Sequence, residues 1–273
     1  LELKAFIKSI FRRIEKEKVI MKYLKNWKVF ESELTNNFKW NSLIDYTLLE
    51  ESATNEDIIE LCKKASTFGV KSVCVLPKHV KLAANELSDS GVLVCTVVSF
   101  PEGTNSVVSK LNETQRVISD GADEVDMVLN YSLLQKHYED SGEELVYEVK
   151  TLVNECHKHK NKDGNLVVLK VIVESGLLSE EETKEATEIC IEAGADFIKT
   201  STGKVPVGAE MSKIKIMYDT IETSGSNMKI KASGGVRTSD QINSMLGMVD
   251  RFGMGYAAVD VLNGLNQSQE IEY

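Results

Sequence analysis

Three lysines stand inside apolar runs: Lys170 in Val-Val-Leu-Lys-Val-Ile-Val, Lys199 in Asp-Phe-Ile-Lys-Thr and Lys231 in Met-Lys-Ile-Lys-Ala-Ser-Gly-Gly. Runs of this kind read as buried strands, and neighbouring strands lie about 4.8 Å apart. The three ammonium groups are therefore expected to converge. Crowded cations destabilise one another and burial adds to the effect, so at least one is expected to titrate well below the ordinary lysine value of about 10.4. A neutral amine adds to a carbonyl and, on losing water, gives a protonated imine that eases carbon–carbon cleavage beside the former carbonyl. One such lysine more often reaches the surface or pairs with a core carboxylate; three on adjacent strands point to imine chemistry.

Asp126, in Glu-Val-Asp-Met-Val, falls on the strand expected beside that of Lys170 and can pair with a lysine or move protons. Asp45, in Leu-Ile-Asp-Tyr-Thr, has the same two readings on the first strand. Two glycine-bearing loops follow the lysine strands, Ser201-Thr202-Gly203-Lys204 and Ser233-Gly234-Gly235-Val236-Arg237. Glycine lets backbone N–H groups approach an anion, and Lys204 and Arg237 add charge. Ordinary tight turns use the same residues, but both loops beside three lysines suit a small phosphorylated carbonyl compound.

The scaffold is legible as a repeated strand–helix alternation from about residue 42. Strand-like runs fall at 42–48, 71–76, 92–98, 124–129, 166–173, 195–200, 228–232 and 250–252. Helical periodicity occupies 55–68, 105–119, 180–193, 211–223 and 239–246, with Gly69, Gly121 and Gly194 as stops. A longer helical region is expected over 131–160. Eight units predict an α/β fold of the (β/α)8, or TIM, barrel type, in which chemistry sits at the carboxyl ends of the strands. An open doubly wound sheet would show Gly-x-Gly-x-x-Gly after its first strand, and the sequence has none there.

The chain has 273 residues and a formal charge of −10, which disfavours nucleic acid and anionic lipid as partners. Residues 1–28 carry nine Lys/Arg against three Glu, leaving −16 for the remainder. Residues 1–40 are expected to form an N-terminal helical extension that packs on its own domain, with a membrane surface or partner protein as the alternative; residues 41–273 form the barrel domain. Five cysteines lack any Cys-x-x-Cys pair and the four histidines share no helix face. No metal or organic cofactor is expected, and the protein is expected to be cytoplasmic and homo-oligomeric.

The sequence resembles the deoxyribose-phosphate aldolases from about Leu43 to Phe252. The likeness rests on Asp45-Tyr-Thr-Leu-Leu, Val73-Cys-Val-Leu-Pro, Phe100-Pro-Glu-Gly, Glu124-Val-Asp-Met-Val, Leu169-Lys-Val-Ile-Val-Glu, Phe197-Ile-Lys-Thr-Ser-Thr-Gly-Lys and Lys231-Ala-Ser-Gly-Gly-Val-Arg-Thr. It implies a TIM barrel that reversibly cleaves 2-deoxy-D-ribose 5-phosphate to acetaldehyde and D-glyceraldehyde 3-phosphate. By that resemblance Lys199 forms the imine, Lys231 lowers its pKa and Asp126 moves protons with bound water. It also puts Lys170 in a supporting network, Asp45, Cys74 and Thr202 around the substrate, and Gly203, Lys204, Gly234, Gly235 and Arg237 on the phosphate. Tyr273, the last residue, matches a terminal tyrosine that assists proton transfer in the family. Two departures stand out. Gly255 and Tyr256 replace a usual serine pair at the phosphate, and Ala232 replaces a usual proline. The first motivates two alternatives: a non-phosphorylated aldehyde substrate, or a barrel kept as a protein-binding module.

Overall fold

The computed structural model describes residues 40–136 and 141–265. Eight strands, β1 Ile44–Leu48, β2 Ser72–Val75, β3 Leu93–Val98, β4 Glu124–Val128, β5 Val168–Ile172, β6 Phe197–Lys199, β7 Lys229–Ser233 and β8 Arg251–Gly255, form a closed barrel in chain order. Every neighbouring pair is parallel, with β8 closing on β1. A helix follows each strand: α1 Asn55–Phe68, α2 Val80–Glu86, α3 Val107–Ser119, α4 Ser141–Cys156, α5 Glu180–Ala193, α6 Met211–Ser224, α7 Ser239–Met245 and α8 Tyr256–Leu262. The strands are covered on both faces, which is why they read as nearly continuous apolar runs.

Side-chain oxygens start the helices where the sequence offers them. Thr54, Ser179 and Thr238 form reciprocal capping boxes with Asp57, Glu182 and Gln241. Gly69 and Gly194 close α1 and α5 in the left-handed conformation. The region expected as one helix over 131–160 is different: residues 131–136 are turn and 3-10 helix, and α4 ends at Cys156. Tyr131 starts the connection that leaves β4, and beyond α4 an antiparallel bridge pairs Lys160 with Leu166. The N-terminal extension, except for Trp40, and Tyr273 lie outside the described residues.

Apolar packing divides into two bodies. The larger fills the layer between sheet and helices; the smaller, Leu49, Cys74, Leu76, Cys95 and Val97 with Phe100 against it, forms a wall on the β1–β3 side. The rest of the barrel interior is charged. Lys110 anchors α3 to the end of β4 by donating to Val128 O at 2.8 Å and to Glu148 of α4 at 2.7 Å.

Strand register is pinned by a recurring aspartate. Asp123, Asp196 and Asp250 immediately precede β4, β6 and β8, and their carboxylates accept from Val94, Leu169 and Ile230 N–H, each the second residue of the preceding strand, at 2.8, 2.8 and 3.0 Å. Register decides function here, because a one-residue slip turns each inward side chain outward. Replacing Asp196 by Ala is expected to lower the urea unfolding free energy by about 2 kcal/mol, the range for a lost hydrogen bond to a charged group, and Asp196→Asn by less.

Candidate active site

Register brings the singled-out residues together. Asp126 pairs with Lys170 across β4 and β5, and Lys199 with Lys231 across β6 and β7. Inside the barrel Asp126 becomes the common partner. Its Oδ1 accepts from Lys170 Nζ at 2.8 Å, and its Oδ2 accepts from Lys199 Nζ at 2.7 Å and Lys231 Nζ at 2.6 Å. Lys170 also donates to Glu124 at 2.7 Å, while Lys231 Nζ lies 2.6 Å from Asp45 Oδ2 as an ion pair. Arg251 completes the network, contacting Asp45 through Nε at 2.9 Å and Glu124 through both terminal nitrogens. Gly253, the β8 partner of Asp45, leaves room for the Lys231 stem: a Cβ there would lie 3.2 Å from Lys231 Cε.

The expectation of unpaired ammonium groups is corrected, since all three lysines meet Asp126, and Lys170 and Lys231 are not the depressed amine the sequence called for. Burial alone would lower Lys231, but Asp126 and Asp45 hold it above the usual lysine value, and Asp126 with Glu124 does the same for Lys170. Burial would raise the carboxylates, yet the surrounding cations hold Asp45, Glu124 and Asp126 below their usual range. Lys231 is thus a fixed charge. Lys199 differs in geometry: its one carboxylate contact is an oxygen shared with Lys231, and it retains 3% exposure where Lys170 and Lys231 have none.

The loops behind β5, β6 and β7 are tied to one another. Glu174, left-handed at φ 52°, accepts from the Thr202 N–H at 3.2 Å and from its hydroxyl, and Thr202 Oγ1 accepts from Lys204 N–H at 3.1 Å. Burial pushes the Glu174 carboxyl up, against the pull of the Thr202 bonds. Gly203 and Gly234 are both at positive φ and lie in van der Waals contact, and a Cβ on Gly234 would sit 2.9 Å from Gly208 Cα. Gly235 follows at φ 79°, and Gly255 ends β8. Lys204 and Arg237 are exposed at this end, Lys204 Nζ lying 3.5 Å from Leu49 O at the end of β1.

Sequence reasoning missed Glu124, Arg251, Cys95 and Glu174. Glu124 stands two residues before Asp126, hence on the same strand face, and Arg251 interrupts an otherwise apolar strand, so both carried the signal that exposed the lysines. Among the described residues, two groups bring thiol and carboxylate atoms within 4.8 Å of one another, Cys74–Cys95–Asp126 and Asp45–Cys95–Glu124. Their carboxylates already bond lysine or arginine, so both groups belong to the ion network.

A closed parallel barrel whose interior holds a lysine–carboxylate network built on β1 and β4 to β8, with Lys199 at the carboxyl end of β6, defines an enzyme of the barrel-aldolase class. Residues 42–265 match the model of the DeoC/LacD family aldolases. A deoxyribose-phosphate aldolase of Mycoplasmoides pirum is 44% identical over 76% of this chain and 89% of its own length. Deoxyribose-phosphate aldolase 2 of Staphylococcus aureus is 39% identical over 84% and 97%. Among solved structures, the tetrameric deoxyribose phosphate aldolase of Aeropyrum pernix superposes with a TM-score of 0.70 at 30% identity, covering 82% of this chain and 89% of its own. The chain belongs to the DeoC/LacD aldolase family and is a lyase. Among the described residues no helix is long and apolar enough to cross a membrane.

Because Asp45 is held down in the folded state, its contribution to stability is present above the unfolded aspartate value of about 3.9 and fades as the pH falls below it. Asp45→Asn is therefore expected to cost about 3–5 kcal/mol at neutral pH, as removal of one partner from a buried ion network does. Urea titrations across pH should show that cost shrinking below about pH 4.

Proposed function

We propose that this chain is a deoxyribose-phosphate aldolase, reversibly cleaving 2-deoxy-D-ribose 5-phosphate into acetaldehyde and D-glyceraldehyde 3-phosphate through a Schiff base on Lys199. The observation that carries this reading is the single Asp126 oxygen shared by Lys199 and Lys231 at 2.7 and 2.6 Å, in a chain of this family. Lys199 Nζ, as the free amine, adds to C1 of the open-chain sugar, and the carbinolamine loses water to a protonated imine. Loss of the C3 hydroxyl proton then breaks the C2–C3 bond, whose electron pair enters the imine to form an enamine. Glyceraldehyde 3-phosphate leaves, C2 takes up a proton, and water releases acetaldehyde from Lys199.

Lys231 supplies the fixed positive charge beside the amine, and Asp126 orients both lysines and exchanges protons through bound water. Lys170, Glu124 and Arg251 hold Asp126 and Asp45 in place. Cys74 and the apolar wall face the small acetaldehyde end. Gly203, Lys204, Gly234, Gly235 and Arg237 would receive the phosphate, largely through backbone N–H groups, with Gly255 contributing backbone where relatives present hydroxyls. A homo-oligomer fits the tetramer described for the Aeropyrum pernix relative. Five unpaired cysteines fit a reducing, cytoplasmic setting.

The replacement of the serine pair by Gly255 and Tyr256 favours one second reading, a preference for an unphosphorylated aldehyde acceptor. The two readings differ in the effect of losing charge at the loops. For phosphate recognition, Lys204→Met and Arg237→Gln are each expected to raise KM for the phosphorylated sugar about tenfold or more while leaving the rate with unphosphorylated 2-deoxyribose nearly unchanged. Equal effects on both substrates would support the second reading. For the imine, borohydride with substrate should fix a reduced adduct on Lys199, seen by peptide mass spectrometry. Lys199→Met should abolish the adduct and lower kcat by more than about a thousandfold.

A further inference from the structure

We propose that Cys74 and Cys95 form a reactive thiol pair that a small hydroperoxide converts to a disulfide, a modification site set in the wall of the barrel interior. The two are register partners on β2 and β3 and belong to the same inner apolar wall. Their sulfur atoms lie within 4.8 Å of each other. Adjacent strands hold partner Cα atoms about 4.8 Å apart, inside the 4.4–6.8 Å range that a disulfide spans, so side-chain rotation suffices to join them.

The pair is chemically unequal. A hydrogen bond with Cys95 pulls the Cys74 thiol below its ordinary value against burial, helped by Lys231 and Lys199. Burial, with the Cys74 hydrogen bond, pushes Cys95 well up. Cys74 is therefore the attacking sulfur and Cys95 the one that resolves. The remaining cysteines are pushed up by burial, Cys62 to about 12 and Cys156 and Cys190 further. No other cysteine is shifted down.

Leu76 and Val97, each two residues beyond a member of the pair on the same strand face, line a cleft of about 490 Å³ together with Phe100, Pro77, Lys78 and Arg116. That cleft holds none of the lysine network. A peroxide approaching from this cleft would have to pass Leu76 and Val97 to reach the thiols.

The steps balance. The Cys74 thiolate attacks one peroxide oxygen, the O–O bond breaks, and the departing hydroxide or alkoxide takes a proton, leaving a sulfenic acid. Cys95 sulfur then attacks the Cys74 sulfur, the S–S bond forms, the S–O bond breaks, and the hydroxide leaves with the Cys95 proton as water. The two thiols give up two electrons and the peroxide accepts them. Before oxidation the single Cys95 S–H is shared between Cys74 Sγ and Asp126 Oδ1, the latter 3.1 Å away, and Cys95 Sγ accepts from Lys170 Nζ at 3.3 Å. The disulfide removes that donor from the carboxylate that orients Lys199. Loss of aldolase turnover on oxidation rests on the function proposed above; the disulfide itself does not.

The test uses the full chain treated with hydrogen peroxide, alkylated, and digested with trypsin without reduction. Cleavage after Lys71, Lys78, Lys81 and Lys110 puts Cys74 and Cys95 on separate peptides. The expected result is one cross-linked pair, lighter by two hydrogens than the separate peptides and split by dithiothreitol, with turnover lost and regained in step. In Cys95→Ala, compared with its own untreated rate, oxidation should stop at a Cys74 sulfenic acid that dimedone captures, with no cross-link. Oxidation of Cys74 in the wild type without a bond to Cys95, or no oxidation of either, would overturn the proposal. A cross-link in a protein that shows no aldolase activity before treatment would leave the thiol pair standing and remove the proposed function instead.

Discussion

Asp126 carries one negative charge and answers three ammonium groups, one oxygen facing Lys170 and the other facing Lys199 and Lys231 together. Taking any of these ions out of water costs several kcal/mol, and the interior returns that only when partners are close and well directed. Four basic side chains, Lys170, Lys199, Lys231 and Arg251, meet three carboxylates, Asp45, Glu124 and Asp126. The members come from β1, β4, β5, β6, β7 and β8, so the network exists only when the barrel is closed in its proper register. The strand-initial aspartates that clamp β3 to β4, β5 to β6 and β7 to β8 are thus part of the site's construction.

This arrangement suits an amine that becomes an imine. An ammonium and a protonated imine carry the same charge, so the surrounding dipoles and ions need not reorganise when the carbonyl is captured, and what is preorganised for one serves the other. Lys170 is locked by three carboxylates and Lys231 by two, whereas Lys199 has only the oxygen it shares with Lys231. The mobile charge sits on the residue at the least enclosed position of the three. Opposite the network stands the apolar wall of Leu49, Leu76 and Val97, with Phe100 packed against it. A two-carbon fragment held there meets charge on one side and hydrocarbon on the other.

The lysines, Asp45 and Asp126 were legible in the sequence because a charge inside a strand buried on both faces has few bland explanations, and the eight strands because their alternation with helices is regular. Glu124 and Arg251 carried the same signal and needed only the period-two rule to be seen. What pattern could not supply was compensation. Whether crowded lysines depress or sustain one another depends on carboxylates brought in by other strands, and register is a property of the closed barrel, absent from any single segment. The contact between Cys74 and Cys95 is hidden for the same reason: 21 positions separate them in the chain and none in the sheet. The region expected as a helix over 131–160 contains turns at both ends because its apolar spacing belongs partly to residues that pack on the barrel from a connecting loop, such as Leu134, which is buried within 3-10 structure.

A formal charge of −10 would repel a phosphorylated sugar if distance played no part. At physiological ionic strength charges separated by more than about 8 Å are largely screened at the surface, so the overall balance matters less than the groups lining the mouth. Inside the mouth the basic side chains outnumber the carboxylates of the network, and the loops after β6 and β7 add backbone N–H groups at glycines that no side chain obstructs. Thr202 is held from beneath by Glu174 and in turn accepts from the Lys204 N–H, which fixes the loop before any ligand arrives. An anion recognised by a prepared backbone does not require the hydroxyl pair that the family resemblance led one to expect after β8, because the entropy of arranging the donors has already been met in folding. On the proposed function, Gly255 and Tyr256 then change how the phosphate is held at one edge of the mouth, while the imine chemistry proposed for Lys199 depends on a different set of strands.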